Sequence, residues 1–165
     1  QDYQFIAAPG DVIKIMNSAG INQRSSVQGN YIQNIPQHVQ LEVLDREFRG
    51  TEGRVYYLVK FDGHDGYIYG GQINPMTISN WTQLVSKNDN KVWASLKSNL
   101  WYIMPKVCAS SDCENTGSAL WRQNITKNSQ ESTFEVLEEK DDWIRIYSHN
   151  DNSHGWIEKE VTNEF

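Results

Sequence analysis

The run Val55-Tyr56-Tyr57-Leu58-Val59-Lys60-Phe61-Asp62-Gly63-His64-Asp65-Gly66-Tyr67-Ile68-Tyr69 decides the fold class. In its first arm Tyr57, Val59 and Phe61 alternate with Tyr56, Leu58 and Lys60. A period of two puts alternate side chains on opposite faces of a strand. β-Branched and aromatic residues suit such a pleated, half-buried surface. Asp62-Gly63 supplies turn chemistry, with a glycine free to take positive φ, and Gly66–Tyr69 forms the return arm. The segment predicts a tight antiparallel hairpin.

Outward from that hairpin the same texture continues. Strands are predicted at residues 39–44, 133–137, 143–147 and 155–157, broken by Gly, Asn, Asp and Ser. Helix-period stretches are scarce, so the chain reads as all-β. The stretch Tyr147-Ser148-His149-Asn150-Asp151-Asn152-Ser153-His154-Gly155-Trp156 is a longer version of the first hairpin. The two hairpins belong to an internal repeat. Leu41-Glu42-Val43-Leu44, Tyr57–Phe61 and Gly66-Tyr67-Ile68 recur in order as Phe134-Glu135-Val136-Leu137, Trp143–Tyr147 and Gly155-Trp156-Ile157. Two β units, each of about 60–70 residues, are therefore expected. Val43, Tyr57, Val59, Ile68 and Ile73 form the predicted core of the first. Val136, Trp143 or Ile144, Ile146 and Ile157 form that of the second.

The expected layout is an N-terminal domain over residues 1–78, a connector over 79–98 and a C-terminal domain over 99–165. In the connector, Trp81, Leu84 and Val85 fall on one helical face with Asn80 as N-cap, which predicts a short helix packed into a seam. The halves differ in character: all six Trp follow residue 80, and nine of the eleven Gly precede it.

The 165 residues carry 15 Lys plus Arg against 21 Asp plus Glu, a net charge of −6. That balance argues against a dedicated nucleic-acid binder, which needs clustered positive charge. It also disfavours attachment to an anionic membrane surface, and no apolar run is long enough to insert into a bilayer. Aromatics at 12% give the chain large surfaces to bury. The chain opens at Gln1, with no basic or apolar leader in its first residues. It reads as the mature form of an exported protein, periplasmic or extracellular, with a truncated cytosolic protein as the alternative.

Cys108 and Cys113 are the only two cysteines. A local disulfide suits an exported chain, and half a metal site is the alternative, though no second Cys pair completes it. Catalytic motifs are absent: there is no Gly-x-Ser-x-Gly, no His-Glu-x-x-His and no phosphate-binding glycine loop. Cys108 with His149 or His154 is a candidate nucleophile arrangement, and the disulfide reading outweighs it. His149-x-Asp151-x-x-His154 has metal-ligand residue types, but turn chemistry explains each of them. The chain is thus expected to be no enzyme, with no cofactor and no metal.

Residues 19–73 resemble a bacterial SH3-like domain. The family pattern runs from Asn-x-Arg-Ser-Ser through a Val-Glu-Val-Leu strand and a Trp-Tyr-x-Val strand to a closing Gly-Trp/Tyr-Val. Here it reads Asn22-Gln23-Arg24-Ser25-Ser26, then Leu41-Glu42-Val43-Leu44, Tyr56-Tyr57-Leu58-Val59 and Gly66-Tyr67-Ile68. The second half is similar to the same family from Phe134 onward. There Val107-Cys108-Ala109-Ser110-Ser111 stands at the Asn-x-Arg-Ser-Ser position, with Cys or Ala replacing the Arg.

The resemblance implies two tandem small β-barrels and a binding role in the bacterial cell envelope. Catalysis in that family usually belongs to a separate fused domain, often a cell-wall cysteine peptidase. The expected partner is peptidoglycan, through its peptides, or an envelope protein. The alternative functions are an adaptor or inhibitor module, or an accessory part of a cell-wall hydrolase.

Arg24, Tyr31, Tyr56, Tyr69, Trp101, Trp121 and Arg122 are the candidate ligand-binding residues. The rings fall at strand ends or on the outward phase, where aromatics stack on peptides and sugars. Filling a seam or capping a barrel end is the competing role for several of them. Arg24 either meets a ligand carboxylate or fixes the first long loop through a local carboxylate or carbonyl.

Overall fold

The computed structural model describes residues 6–49, 53–72, 81–86, 92–97, 100, 102–116, 119–121, 134–148 and 153–163, with the backbone alone at Leu120, Trp121 and Ser153. The fold is all-β, as the alternation predicts. Among the described residues the one helical turn is the 3-10 segment Lys159–Val161. The chain divides into two compact units, residues 1–90 and 91–165.

The first unit holds β1 (Val12–Ile15), β2 (Ile21–Arg24), β3 (Tyr31–Ile35), β4 (Gln40–Glu42), β5 (Asp45–Arg49), β6 (Arg54–Phe61), β7 (His64–Gln72) and β8 (Thr82–Ser86). They form a five-stranded sheet ordered β3-β2-β7-β6-β5 and a three-stranded sheet ordered β4-β1-β8, with every pairing antiparallel. The predicted hairpin is β6–β7. Phe61 faces His64 across a two-residue turn in which Asp62 and Gly63 both have positive φ, 48° and 78°. Two such residues in sequence make the turn whose twist matches that of the flanking strands.

The chain passes from one sheet to the other at Val43-Leu44. Val43 exchanges backbone hydrogen bonds with Gly10 and Asp11, and the Leu44 N–H then donates to the Leu58 carbonyl. Because the strand changes partners there, its two ends belong to different sheets. Among the described residues neither sheet closes on itself. The all-β class therefore holds, while barrel closure is not seen among these residues.

The inward phase of β6 and β7 buries Val55, Tyr57, Val59 and Ile68, with Ile13, Ile15, Ile35 and Val43. Ile73, also predicted as core, lies outside the described residues. Tyr57 is the largest fully buried side chain among the described residues of the first unit. Its ring lies against Gly70, where a Cβ would collide with it. Its hydroxyl accepts the Ala7 N–H at 2.9 Å, so Ile6, Ala7 and Ala8 are drawn into the core.

Thr82–Ser86 is a strand, which corrects the predicted short helix. A run this short satisfies helical and extended spacing alike. The edge of β1 decides, pairing Ile13 with Leu84 and Ile15 with Thr82. The buried Thr82 hydroxyl donates to the Gly70 carbonyl at 2.9 Å. Asn80, the proposed cap, lies outside the described residues.

The second unit holds β9 (Val92–Ala94), β10 (Tyr102–Ile103), β11 (Leu120–Trp121), β12 (Phe134–Lys140), β13 (Trp143–Ser148) and β14 (Ser153–Glu158). Four of these form an open antiparallel sheet ordered β14-β13-β12-β9, and β10 pairs with β11. Its core is Ala94, Leu96, Phe134, Val136, Ile144, Ile146 and Ile157. Of the alternatives Trp143 and Ile144, Ile144 is the buried one. On the opposite face of β13, Arg145 is 6% exposed, with its guanidinium 5.3 Å from the Trp156 ring centroid and Nε 3.6 Å from Glu138. Burial pushes that guanidinium below its ordinary pKa, and Glu138 opposes the shift.

Cys108 and Cys113 form a disulfide. It closes a turn in which the Ser110 carbonyl receives the Cys113 N–H, and it removes Cys108 as a nucleophile. The flanking backbone is tied by Val107 N–H to Glu114 and by reciprocal bonds between Lys106 and Trp156.

Candidate functional site

The outward phase of the five-stranded sheet carries the site. Tyr56 faces Tyr69, Leu58 faces Tyr67, and Tyr67 faces Arg24. Opposed residues on paired strands project from the same face. Strand alternation adds Asn22 beside Arg24 on β2, and Asn22 faces Asn34 on β3. The result is a cleft of about 390 Å³ whose walls include Asn22, Arg24, Asn34, Tyr56, Tyr67, Tyr69 and Trp81.

Its floor is a chain of three rings. Tyr56 and Tyr69 lie 5.3 Å apart, tilted at 53°. Tyr69 and Trp81 lie 5.3 Å apart, edge to face at 74°. These are favourable quadrupole geometries, so the rings hold each other in place and keep faces open to the cleft. Trp81 is 38% exposed. Its carbonyl accepts the Met16 N–H at 2.8 Å, which fixes the backbone that carries the ring.

The amides and the cation form the rest of the wall. Asn34 donates to Asn22 Oδ1 at 3.1 Å. Arg24 is the one charged side chain among the described residues lining the cleft. It is exposed, and its Nη1 donates to the Gly29 carbonyl at 3.3 Å. That single long bond leaves most of the five guanidinium donors facing outward. The loop-fixing and ligand-facing roles weighed for Arg24 are therefore compatible. Ser25 does more of the loop closure: its N–H donates to the Asn30 carbonyl at 2.9 Å, and its hydroxyl accepts the Asn30 N–H at 3.1 Å.

The tyrosine hydroxyls feel this setting. Burial and the carboxylates of Asp45 and Glu47 push Tyr67 above its ordinary pKa. Burial and Tyr56 push Tyr69 up, and Arg54 opposes the shift. Both hydroxyls stay protonated as donors over a wider range than a free phenol.

Three of the seven sequence candidates, Arg24, Tyr56 and Tyr69, meet in this cleft. Tyr31 is 56% exposed and faces Arg24 from β3, the strand that carries the wall residue Asn34, but it does not itself line the cleft. Trp101 and Arg122 lie outside the described residues. Trp121 is placed by its backbone in β11, opposite Tyr102. In the proposed His149-Asp151-His154 group only His154 is described, buried on β14.

Tyr67, Trp81, Asn22 and Asn34 were missed. Tyr67 has the same strand parity as Tyr69, so alternation alone points to it. Trp81 carried no such signal, because its segment reads equally as a helix.

The residue between Asn22 and Arg24 proves structural. Gln23 is fully buried, and its Nε2 donates to the carbonyls of Val59 at 3.1 Å and His64 at 2.8 Å. Its Oε1 accepts Gln33 Nε2, which also donates to the Phe61 carbonyl. This network ties β2 and β3 to the β6–β7 hairpin and thereby sets where Arg24 stands relative to the rings.

A scan against protein-family models found no match, and a search of curated proteins found none. No helix among the described residues is long and apolar enough to cross a membrane.

Proposed function

We propose that the chain is a non-catalytic binding protein of the bacterial cell envelope, whose N-terminal unit holds a short peptide with its carboxylate on Arg24. Peptidoglycan peptides fit that description, and their choice rests on the resemblance of residues 19–73 to SH3-like domains. The observation that carries the reading is the meeting of Arg24 with Tyr56, Tyr69 and Trp81 in one cleft. Rings supply contact area at low entropic loss, and the guanidinium supplies a planar fork for a carboxylate. The paired amides of Asn22 and Asn34 add donors and acceptors suited to peptide groups.

An exposed Arg–carboxylate pair contributes up to about 1 kcal/mol, or roughly fivefold in affinity. Each stacked ring adds about 0.5–1.5 kcal/mol. Affinity at such a site is modest, and many copies of the ligand on one wall raise retention by rebinding.

The test is co-sedimentation with insoluble cell-wall sacculi at low and moderate salt. The chain is expected in the pellet, with Arg24→Ala and Tyr69→Ala each releasing most of it. Full recovery of the unaltered chain in the supernatant at both salts overturns the reading.

A further inference from the structure

Arg24 stands in a row of side chains that crosses the whole five-stranded sheet. Asp45 on β5 faces Leu58 on β6, Leu58 faces Tyr67 on β7, Tyr67 faces Arg24 on β2, and Arg24 faces Tyr31 on β3. All five side chains therefore project from one face. The row carries an anion near one end and a cation near the other, with an aliphatic and an aromatic side chain between them. Three inter-strand steps of about 4.8 Å separate Asp45 from Arg24, about 14 Å in all. The adjacent row, Glu47–Tyr56–Tyr69, runs parallel and brings in the floor of the cleft.

The other charges of this face are engaged or lie off the row. Glu47 forms an ion pair with Arg49. Lys60 and Asp65 pair at 3.8 Å, one row beyond Leu58 and Tyr67. Arg54 pairs in register with Arg49 and Gln72, beyond Tyr56 and Tyr69. Asp45 is exposed, and its Oδ1 accepts the Arg46 N–H at 2.8 Å. Burial first, and then the carboxylates of Asp45 and Glu47, push the mid-row Tyr67 hydroxyl above its ordinary pKa.

Resting on the peptide-binding reading above, we infer that the ligand is dipolar: it places a carboxylate at Arg24 and a protonated amine at Asp45. The two charges stand about 14 Å apart, the length of four extended residues. The ligand lies across the strands: its carboxylate end sits in the cleft at Arg24, its middle passes over the wall residue Tyr67, and it leaves the cleft over Leu58 to reach Asp45. Like charge repels at each end, so the two ends fix its direction as well as its register.

The test titrates the full chain, by amide and indole NMR shifts, with three probes: tetra-alanine with free ends, its N-acetyl form and its C-terminal amide. The free-ended peptide is expected to bind best, with acetylation and amidation each weakening it about 2- to 5-fold. Asp45→Asn is expected to erase the acetylation effect and keep the amidation effect. Arg24→Gln is expected to do the reverse, and Arg24→Lys to keep both, which separates lost charge from a loosened 25–30 loop. Acetylation without effect on the unaltered chain, while amidation still weakens binding, overturns the dipolar inference and leaves the carboxylate reading standing. Absence of any shift at cleft residues with all three probes overturns both.

Discussion

Gln23 shows how one buried amide governs the site. Its side chain serves two carbonyls of the β6–β7 hairpin and accepts from Gln33. Gln23→Ala strands those groups away from water, and each unsatisfied buried polar group costs about 1–3 kcal/mol. The expected loss is about 2 kcal/mol, after partial relaxation, read as a lower urea midpoint at unchanged slope.

Gly70 is the second sensitive residue, because Tyr57 occupies the space of a side chain there. Gly70→Ala is expected to destabilise by about 1–3 kcal/mol, as overpacking does. Thermal unfolding checks it, and Tyr57→Phe combined with Gly70→Ala does not rescue, since the collision is with the ring.

The tyrosines give a pH dependence with a definite sign. The folded-state pKa of Tyr67 and Tyr69 lies above the ordinary 10.0. Their contribution to stability is fully present below that value and is lost as pH rises through the raised one. The first unit is expected to soften above about pH 10. Urea midpoints from pH 8 to 11 check this, and Tyr67→Phe flattens the decline.

At the scale of elements, strand pairing explains what alternation alone left open. The β6–β7 hairpin is readable because the eight residues of β6 repeat the two-residue period, and the β13–β14 hairpin because the same order of strand, polar turn and Gly-aromatic return recurs there. The β8 segment was misread because five residues do not repeat the period enough, and β1 supplied the deciding edge. The loop closed by Cys108 and Cys113 spans a sequence separation of 5. Chain-entropy reasoning gives such a short loop about 2 kcal/mol, felt by the second unit alone. Reduction by dithiothreitol is expected to lower the midpoint of Trp143 and Trp156 fluorescence while leaving cleft resonances of the first unit in place. A matching loss in the first unit counts against it.

At the scale of the molecule, the connector is where the two units take their edges. Thr82–Ser86 completes the three-stranded sheet of residues 1–90, and Val92–Ala94 pairs with β12 in residues 91–165. A fragment ending at residue 90 is therefore expected to unfold cooperatively and to keep the cleft. One ending at residue 78 loses β8, the Thr82–Gly70 bond and the Trp81 ring. It is expected to show a broad transition or none. Equal cooperativity in the two fragments removes β8 from the structural account.

The sequence by itself determined the all-β class, the hairpins and the alternating core, and it favoured a local pairing of the two cysteines. These are local properties: side-chain parity, turn chemistry and a short separation along the chain act before any distant contact forms. It also named Arg24, Tyr56 and Tyr69, because exposure follows from strand phase. Only tertiary structure decided that these three share one cleft with Tyr67 and Trp81, that Gln23 is a buried latch, and that Trp81–Ser86 runs along β1 as an extended edge. Those outcomes depend on which strands become neighbours, and strand order is set by long-range burial that no single segment encodes.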